Sequence, residues 1–173
     1  MRTSCLWLLA CLAPLPAAAD ITGRVSAVTS GDALTVVVNE REQVKVRLVG
    51  VDAPEPYQDF ARESRSSLGA HASGREVRLD VVGQDRQGRT RARVWAAEGS
   101  CSQPGCPKTV DLGLAQVAAG MAWHDPGQDR DLPAADRQGY GEAEFMAKAR
   151  RLGLWAGKNP QPPWAVRQNR LEE

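Results

Sequence analysis

Two carboxylates three residues apart, Asp52 and Glu55, stand in the stretch VGVDAPEP, Val49 to Pro56, with Pro54 between them and Pro56 behind. Each proline fixes its own φ, restricts the residue before it and removes an N–H donor, so both acids sit on backbone with little freedom. Acids held so rigidly are turn formers or ligands. Asp32, closing the turn signal Ser30-Gly31-Asp32, poses the same choice. Arg47, on a strand ahead of the prolines, and Arg89, behind a turn glycine, are on their own most simply solvated cations.

Cysteine and histidine offer less. Cys101 and Cys106, spaced C-S-Q-P-G-C, read as a local disulfide in an oxidising compartment. A metal site is the alternative, but it would need two further ligands, and His71 and His124 show no paired spacing.

Strands come first and helices later in the elements that must position these groups. Ile21 to Val28 and Leu34 to Val38 are β-branched runs separated by the Ser30-Gly31-Asp32 turn. Val44, Val46 and Leu48 alternate with Lys45 and Arg47, which places Arg47 on the outward face of a third strand. A helix is expected from Phe60 to Ser73, ending at Gly74. Glu76 to Val82 alternates again, and Asp85-Arg86-Gln87-Gly88-Arg89 links it to a fifth strand from Arg91 to Ala97, with Ala92, Val94 and Ala96 inward. Asp111 can cap a helix running to Ala119, and Pro133 opens another that runs to Arg151. Gly139 and Gly141 weaken that last helix, so packing through Tyr140, Met146 and Leu154 must compensate. The tail from Lys158 to Glu173 reads as an extended strap in which Trp164 is a possible anchor.

At 173 residues, with 42% hydrophobic and 25% charged, the chain has enough sequence for one core. Residues 1–19 have the layout of a cleaved secretory signal: Arg2, an apolar run from Cys5 to Leu15, then Ala17-Ala18-Ala19. The run is too short for a membrane span, and no stable membrane association is expected. A competing reading takes Leu8-Leu9-Ala10-Cys11 as a lipoprotein box with Cys11 acylated, but its apolar stretch, Leu6 to Ala10, is short. The expected divisions are thus residues 1–19, a domain over 20–157 and a tail over 158–173. Without the leader the chain holds equal numbers of basic and acidic residues, so it lacks the basic balance usual in nucleic-acid binders.

Five short strands with a helix after the third suggest an α+β fold, a five-stranded OB-type β-barrel with three helices. Ser30-Gly31-Asp32, VRLVGVDAPE from Val46 to Glu55, DRQGR from Asp85 to Arg89, and GLW from Gly153 to Trp155 together resemble the staphylococcal-nuclease-like (thermonuclease) family. The resemblance runs from Ile21 to about Trp155, and the order and spacing of the four blocks are far more specific than any one of them.

The resemblance implies that Asp32 and Asp52, with the carbonyl of Ala53, bind one calcium ion, an ion that accepts several oxygen ligands in flexible geometry. It implies that Glu55 holds or activates the attacking water and that Arg47 and Arg89 clamp the phosphate. Trp123 and His124 fall where aromatic residues line the family's nucleotide pocket. Two positions depart from the pattern: Ser30 stands where another aspartate is frequent, and Gln87 replaces the tyrosine of the D-R-Y-G-R turn. The implied activity is calcium-dependent hydrolysis of DNA and RNA with little sequence preference, leaving 3′-phosphate ends, by a secreted or periplasmic protein, with a monomer favoured. The alternative is a non-catalytic OB-type module that binds nucleic acid or protein.

Overall fold

A computed structural model describes residues 21–101, 103 and 105–172; the expected leader, the alternative acylation site at Cys11, and Glu173 lie outside them. The described residues begin with three antiparallel strands, β1 (Ile21–Ser30), β2 (Ala33–Val38) and β3 (Glu42–Leu48), followed by the two-residue β4 (Val51–Asp52) and helix α1 (Ala61–Ala72). Next come β5 (Glu76–Gln84), β6 (Thr90–Ala97), β7 (Lys108–Asp111), helix α2 (Leu112–Ala118) and β8 (Trp123–His124). Helices α3 (Ala134–Ala149) and α4 (Pro163–Leu171) complete it, with 3-10 segments at Pro126–Asp131 and Gly153–Ala156.

The main sheet has the order β3-β2-β1-β5-β6-β7, and β3 also pairs in parallel with β6, through Val46 with Thr90, Arg47 with Arg91 and Leu48 with Ala92. That pairing closes five strands into a barrel, with β7 prolonging the β6 edge beyond β3. The expected five-stranded barrel is therefore present. Its inward positions follow the period of two: Leu34, Val36 and Val38 on β2, Val46 and Leu48 on β3, Val77 and Leu79 on β5, and Ala92, Val94 and Ala96 on β6 are all buried. Val81 departs from the pattern at 44% exposure, because it stands at the rim beside the register shift between Val81 and Gly83.

Helix α1 adds Leu68 and Ala72 to this core, and α2 adds Leu112 and Val117. Asp111 caps α2 as expected, its Oδ1 accepting from the amides of Gly113 at 2.9 Å and Leu114 at 3.3 Å. The same oxygen accepts from the Tyr140 hydroxyl at 3.0 Å, which pins α3 against α2. Burial, then the Asp111 charge, push the Tyr140 hydroxyl well above its ordinary range, so it stays a donor. Tyr140 and Leu154 compensate for the helix glycines as expected. Met146 does not: it is 43% exposed, and Ala147 takes the buried position beside it.

The tail corrects the sequence expectation of an extended strap. Pro163 is the first residue of a helical turn, where a missing N–H costs nothing and a fixed φ helps, and the residues from Trp164 to Leu171 continue the helix. Pro163 is the buried residue of α4, whereas Trp164 is 38% exposed and does not anchor it. Cys101 and Cys106 form a disulfide, with Cα atoms 6.0 Å apart. Among the described residues, no helix is long and apolar enough to cross a membrane.

Candidate active site

The turn between β1 and β2 carries Asp32, and close packing sets its position. A Cβ on Gly31 would lie 1.7 Å from Ser64 Oγ and 3.0 Å from the Ala53 methyl, so only glycine fits between α1 and the proline stretch. Gln116, buried on α2, donates through Nε2 to the carbonyls of Gly31 at 2.7 Å and Ser64 at 3.0 Å, tying that turn to both helices. The Asp32 carboxylate is then fully engaged. Its Oδ1 accepts from the Ser30 hydroxyl at 2.6 Å and its Oδ2 from the Ala53 amide at 2.8 Å. Ser30, the departure from the family pattern, thus stands as a donor to Asp32 in place of a further charge.

Gly50 explains how the proline stretch meets this turn. At φ 78 it turns the chain where side chains are strained, so that β3 ends and β4 pairs instead with β8, Asp52 opposite Trp123. Asp52 arrives almost fully enclosed, at 1% exposure, on the same side as Asp32. Arg47 joins the two carboxylates: its Nη2 lies 2.9 Å from Asp32 Oδ2 and donates to Asp52 Oδ1 at 2.6 Å. Arg47 is on the outward strand face that the strand period gives it, but it is ion-paired there rather than simply solvated. The Arg47 side chain is 18% exposed, and the strand face that is outward for the barrel is the inward face of the site.

Arg167 of α4 reaches one of these carboxylates, Asp52, and adds Glu55, which nothing in the sequence reading anticipated. Its Nη2 donates to Asp52 Oδ2 at 2.7 Å, and its Nη1 to Glu55 Oε1 at 2.6 Å and Asp52 Oδ1 at 3.2 Å. Three carboxylates therefore face two guanidiniums, leaving one negative charge in excess. Burial raises the Asp52 pKa above its ordinary value even though Arg167 and Arg47 both pull it down. For Arg47 burial works against the charge, but Asp32 and Asp52 outweigh it and the pKa is raised; for Arg167 the bond to Asp52 leads, and its pKa rises further. Glu55 is held at its backbone as well, its amide donating to Gln58 Oε1 at 2.9 Å.

Arg89 reaches the cleft from the β5–β6 hairpin. Asp85 organises that turn, Oδ1 accepting from the amides of Gln87 and Arg89, each at 2.9 Å, and Oδ2 from Arg89 Nε at 2.6 Å. Arg47, Glu55, Arg89 and Arg167 line one open cleft of about 910 Å³, to which six arginines and three acids contribute. The basic character missing from the chain as a whole is concentrated here. Trp123 and His124 stand apart from this cleft's lining. Trp123 is 5% exposed and packs edge-on against Trp155, ring centroids 5.4 Å apart; His124 Nε2 lies 2.8 Å from Asp129 Oδ1.

The donor set suits a hard cation, since it consists of carboxylate oxygens that already gather positive charge and retain a negative excess. Among the described residues, no three His, Cys, Asp or Glu side chains form a ready-made metal cage. Protein oxygens from Asp32, Asp52 and Ala53 would therefore leave part of a cation's shell to water and substrate.

Residues 45–157, which hold Arg47, Asp52, Glu55 and Arg89, match the family described as staphylococcal nuclease homologue. Arg167 lies beyond that stretch. The chain is 33% identical over 165 residues to Protein ParB of Escherichia coli, covering 91% of this chain and 87% of that one. It is 36% identical over 155 residues to a micrococcal nuclease of Shigella flexneri (89% and 84% covered), and 32% identical over 154 residues to an uncharacterized endonuclease of Escherichia coli O157:H7 (88% of each). With a five-stranded barrel, a carboxylate cluster at its rim and a family match over most of its length, the chain belongs to the staphylococcal nuclease homologue family.

Proposed function

We propose that this protein is a nuclease that hydrolyses phosphodiester bonds in DNA and RNA with calcium at Asp32 and Asp52. The observation that carries the reading is that Arg47 and Arg167, which line an arginine-rich cleft together with Glu55, are ion-paired to carboxylates buried behind it, Arg47 to Asp32 and Asp52 and Arg167 to Asp52 and Glu55. The relatives named as nucleases support it. A purely binding module gains nothing from carboxylates there, because they repel the phosphates it would hold.

Calcium, when bound, supplies positive charge at the phosphate and lowers the pKa of nearby water. The protein groups do the rest. Glu55 accepts a hydrogen bond from the attacking water and takes its proton as the water oxygen bonds to phosphorus. The bond from phosphorus to the 5′ oxygen breaks, the departing oxygen takes a proton from solvent to become the 5′-hydroxyl, and the phosphate stays on the 3′ side. Arg47 and Arg89 stabilise the extra negative charge on the non-bridging oxygens, a task suited to the planar two-pronged guanidinium. The groups assigned here act on the phosphate, which carries no sequence information, so low sequence preference is expected. Ala53 would offer its carbonyl to the cation.

The disulfide, together with the leader-like residues 1–19, favours a secreted or periplasmic site of action. Purified protein incubated with end-labelled DNA and RNA tests the activity. The expected products carry 3′-phosphate and 5′-hydroxyl ends, form with calcium and do not form with chelator. Intact substrate in calcium would refute the proposal.

A further inference from the structure

We propose that Arg167 is a tethered cation that latches α4 over the Asp52–Glu55 carboxylates, and that metal binding requires this latch to open. The inference rests on reading the cluster as a metal site. Both oxygens of Asp52 and one of Glu55 are engaged by the Arg167 guanidinium at 2.6 to 3.2 Å, across more than a hundred residues of chain. A cation that ligates Asp52 must take those oxygens from it. Arg47 also competes, its Nη2 bridging Asp32 and Asp52, but its backbone is fixed in β3 between paired neighbours, so only its side chain can shift. The competitor that can withdraw together with its element is Arg167.

Helix α4 is constructed to let go. It has nine residues, a length that is marginal for a helix without tertiary support. Pro163 is its buried residue, while Trp164 and Leu171 are exposed. Ala165 and Val166 are half-buried, and the polar ties are few: Arg170 lies 4.2 Å from the Tyr57 ring centroid, and Gln58 Nε2 donates to the Gln161 carbonyl at 2.9 Å just ahead of the helix. The ion pairs of Arg167 thus supply much of the hold, and they are the interactions a divalent cation removes. In the latched state Glu55 is also occupied, so neither metal nor the water it would position has the site. The device keeps a hydrolase idle where calcium is scarce, at the expense of apparent affinity for the metal.

Calorimetric calcium titration of the full chain and of Arg167→Ala, with hydrogen exchange at the amides of residues 163–171, tests the latch without any assay of turnover. Removing the competitor should tighten calcium binding by about tenfold or more, because only the unlatched fraction binds in the wild type. Calcium should also speed exchange across α4 in the wild type, whereas in Arg167→Ala that exchange should already be fast and insensitive to calcium. Calcium binding of equal or lower affinity in Arg167→Ala, with α4 exchange unchanged by the ion, would overturn the latch and leave the metal site standing. No calcium binding to either protein would overturn the metal site and the latch together.

Discussion

Arg47 has two tasks, and they fail differently. As the link between two buried carboxylates it is structural; as a guanidinium in the cleft it faces the phosphate. Arg47→Ala leaves Asp32 and Asp52 without their shared cation, so we expect a stability loss of roughly 3 kcal/mol in the metal-free protein as well as a fall in activity of several orders of magnitude. Arg47→Lys should recover part of the stability and almost none of the rate, since a point charge lacks the fork that reaches both sides. Thermal unfolding beside single-turnover cleavage separates the two effects. Asp85 positions Arg89 and carries a pH signature. Burial would raise its pKa, but the amide and guanidinium of Arg89 and the Gln87 amide outweigh burial and lower it. The stability that Asp85 contributes is therefore complete above its unfolded value of about 3.9, and is lost as pH falls through the lower folded value. Acid unfolding should show Asp85→Asn less stable than wild type near neutrality, with the gap closing in strong acid. Most of these residues were legible because turn chemistry and proline spacing are local signals. Arg167 was not: its partners are 112 and 115 positions away, and one arginine in a proline-led tail looks like any other solvated cation.

At the level of elements, the five barrel strands read cleanly from the sequence because each has a more buried face and a wetter face, whereas β4, β7 and β8, only two to four residues long, were not read. The helices read through their caps, Asp111 above all. The tail misled because three prolines suggested an extended chain, whereas Pro162 and Pro163 fall at the cap and first position of α4, where proline is tolerated. The glycines of α3 were legible as a cost but not as an accident of sequence. In the structure a Cβ on Gly139 or Gly141 would meet nothing within 4 Å, so neither serves a close approach. Gly139→Ala and Gly141→Ala should each stabilise the protein by up to about 1 kcal/mol, measured as a rise in the unfolding midpoint with activity unchanged. The loop closed by Cys101 and Cys106 is short, and on the chain-entropy account its disulfide contributes about 2 kcal/mol. Replacing both cysteines by serine should lower the denaturant midpoint and leave turnover intact; a loss of turnover in the folded variant would show that the loop shapes the site.

For the molecule as a whole, the contrast is between a chain of formal net charge +1 and a cleft with six arginines and three acids in its lining. Composition could not show this, because charge was averaged over surfaces that the fold separates. Local charge of this kind draws a polyanion to the cleft without holding it tightly elsewhere, which suits a substrate that must leave. Behind Arg47 and Arg167 lies a feature of opposite character, the carboxylates of Asp32, Asp52 and Glu55, which outnumber those two guanidiniums by one, and the account stands on that cluster being a cation site used in hydrolysis. The most direct test is the rate of cleavage of one labelled DNA as a function of calcium concentration, for wild type and Asp52→Asn side by side. The account predicts a saturable rise in the wild type that chelator abolishes, and in the variant a curve displaced to much higher calcium with a lower plateau. Cleavage that survives chelation, or the same calcium curve for both proteins, would contradict it.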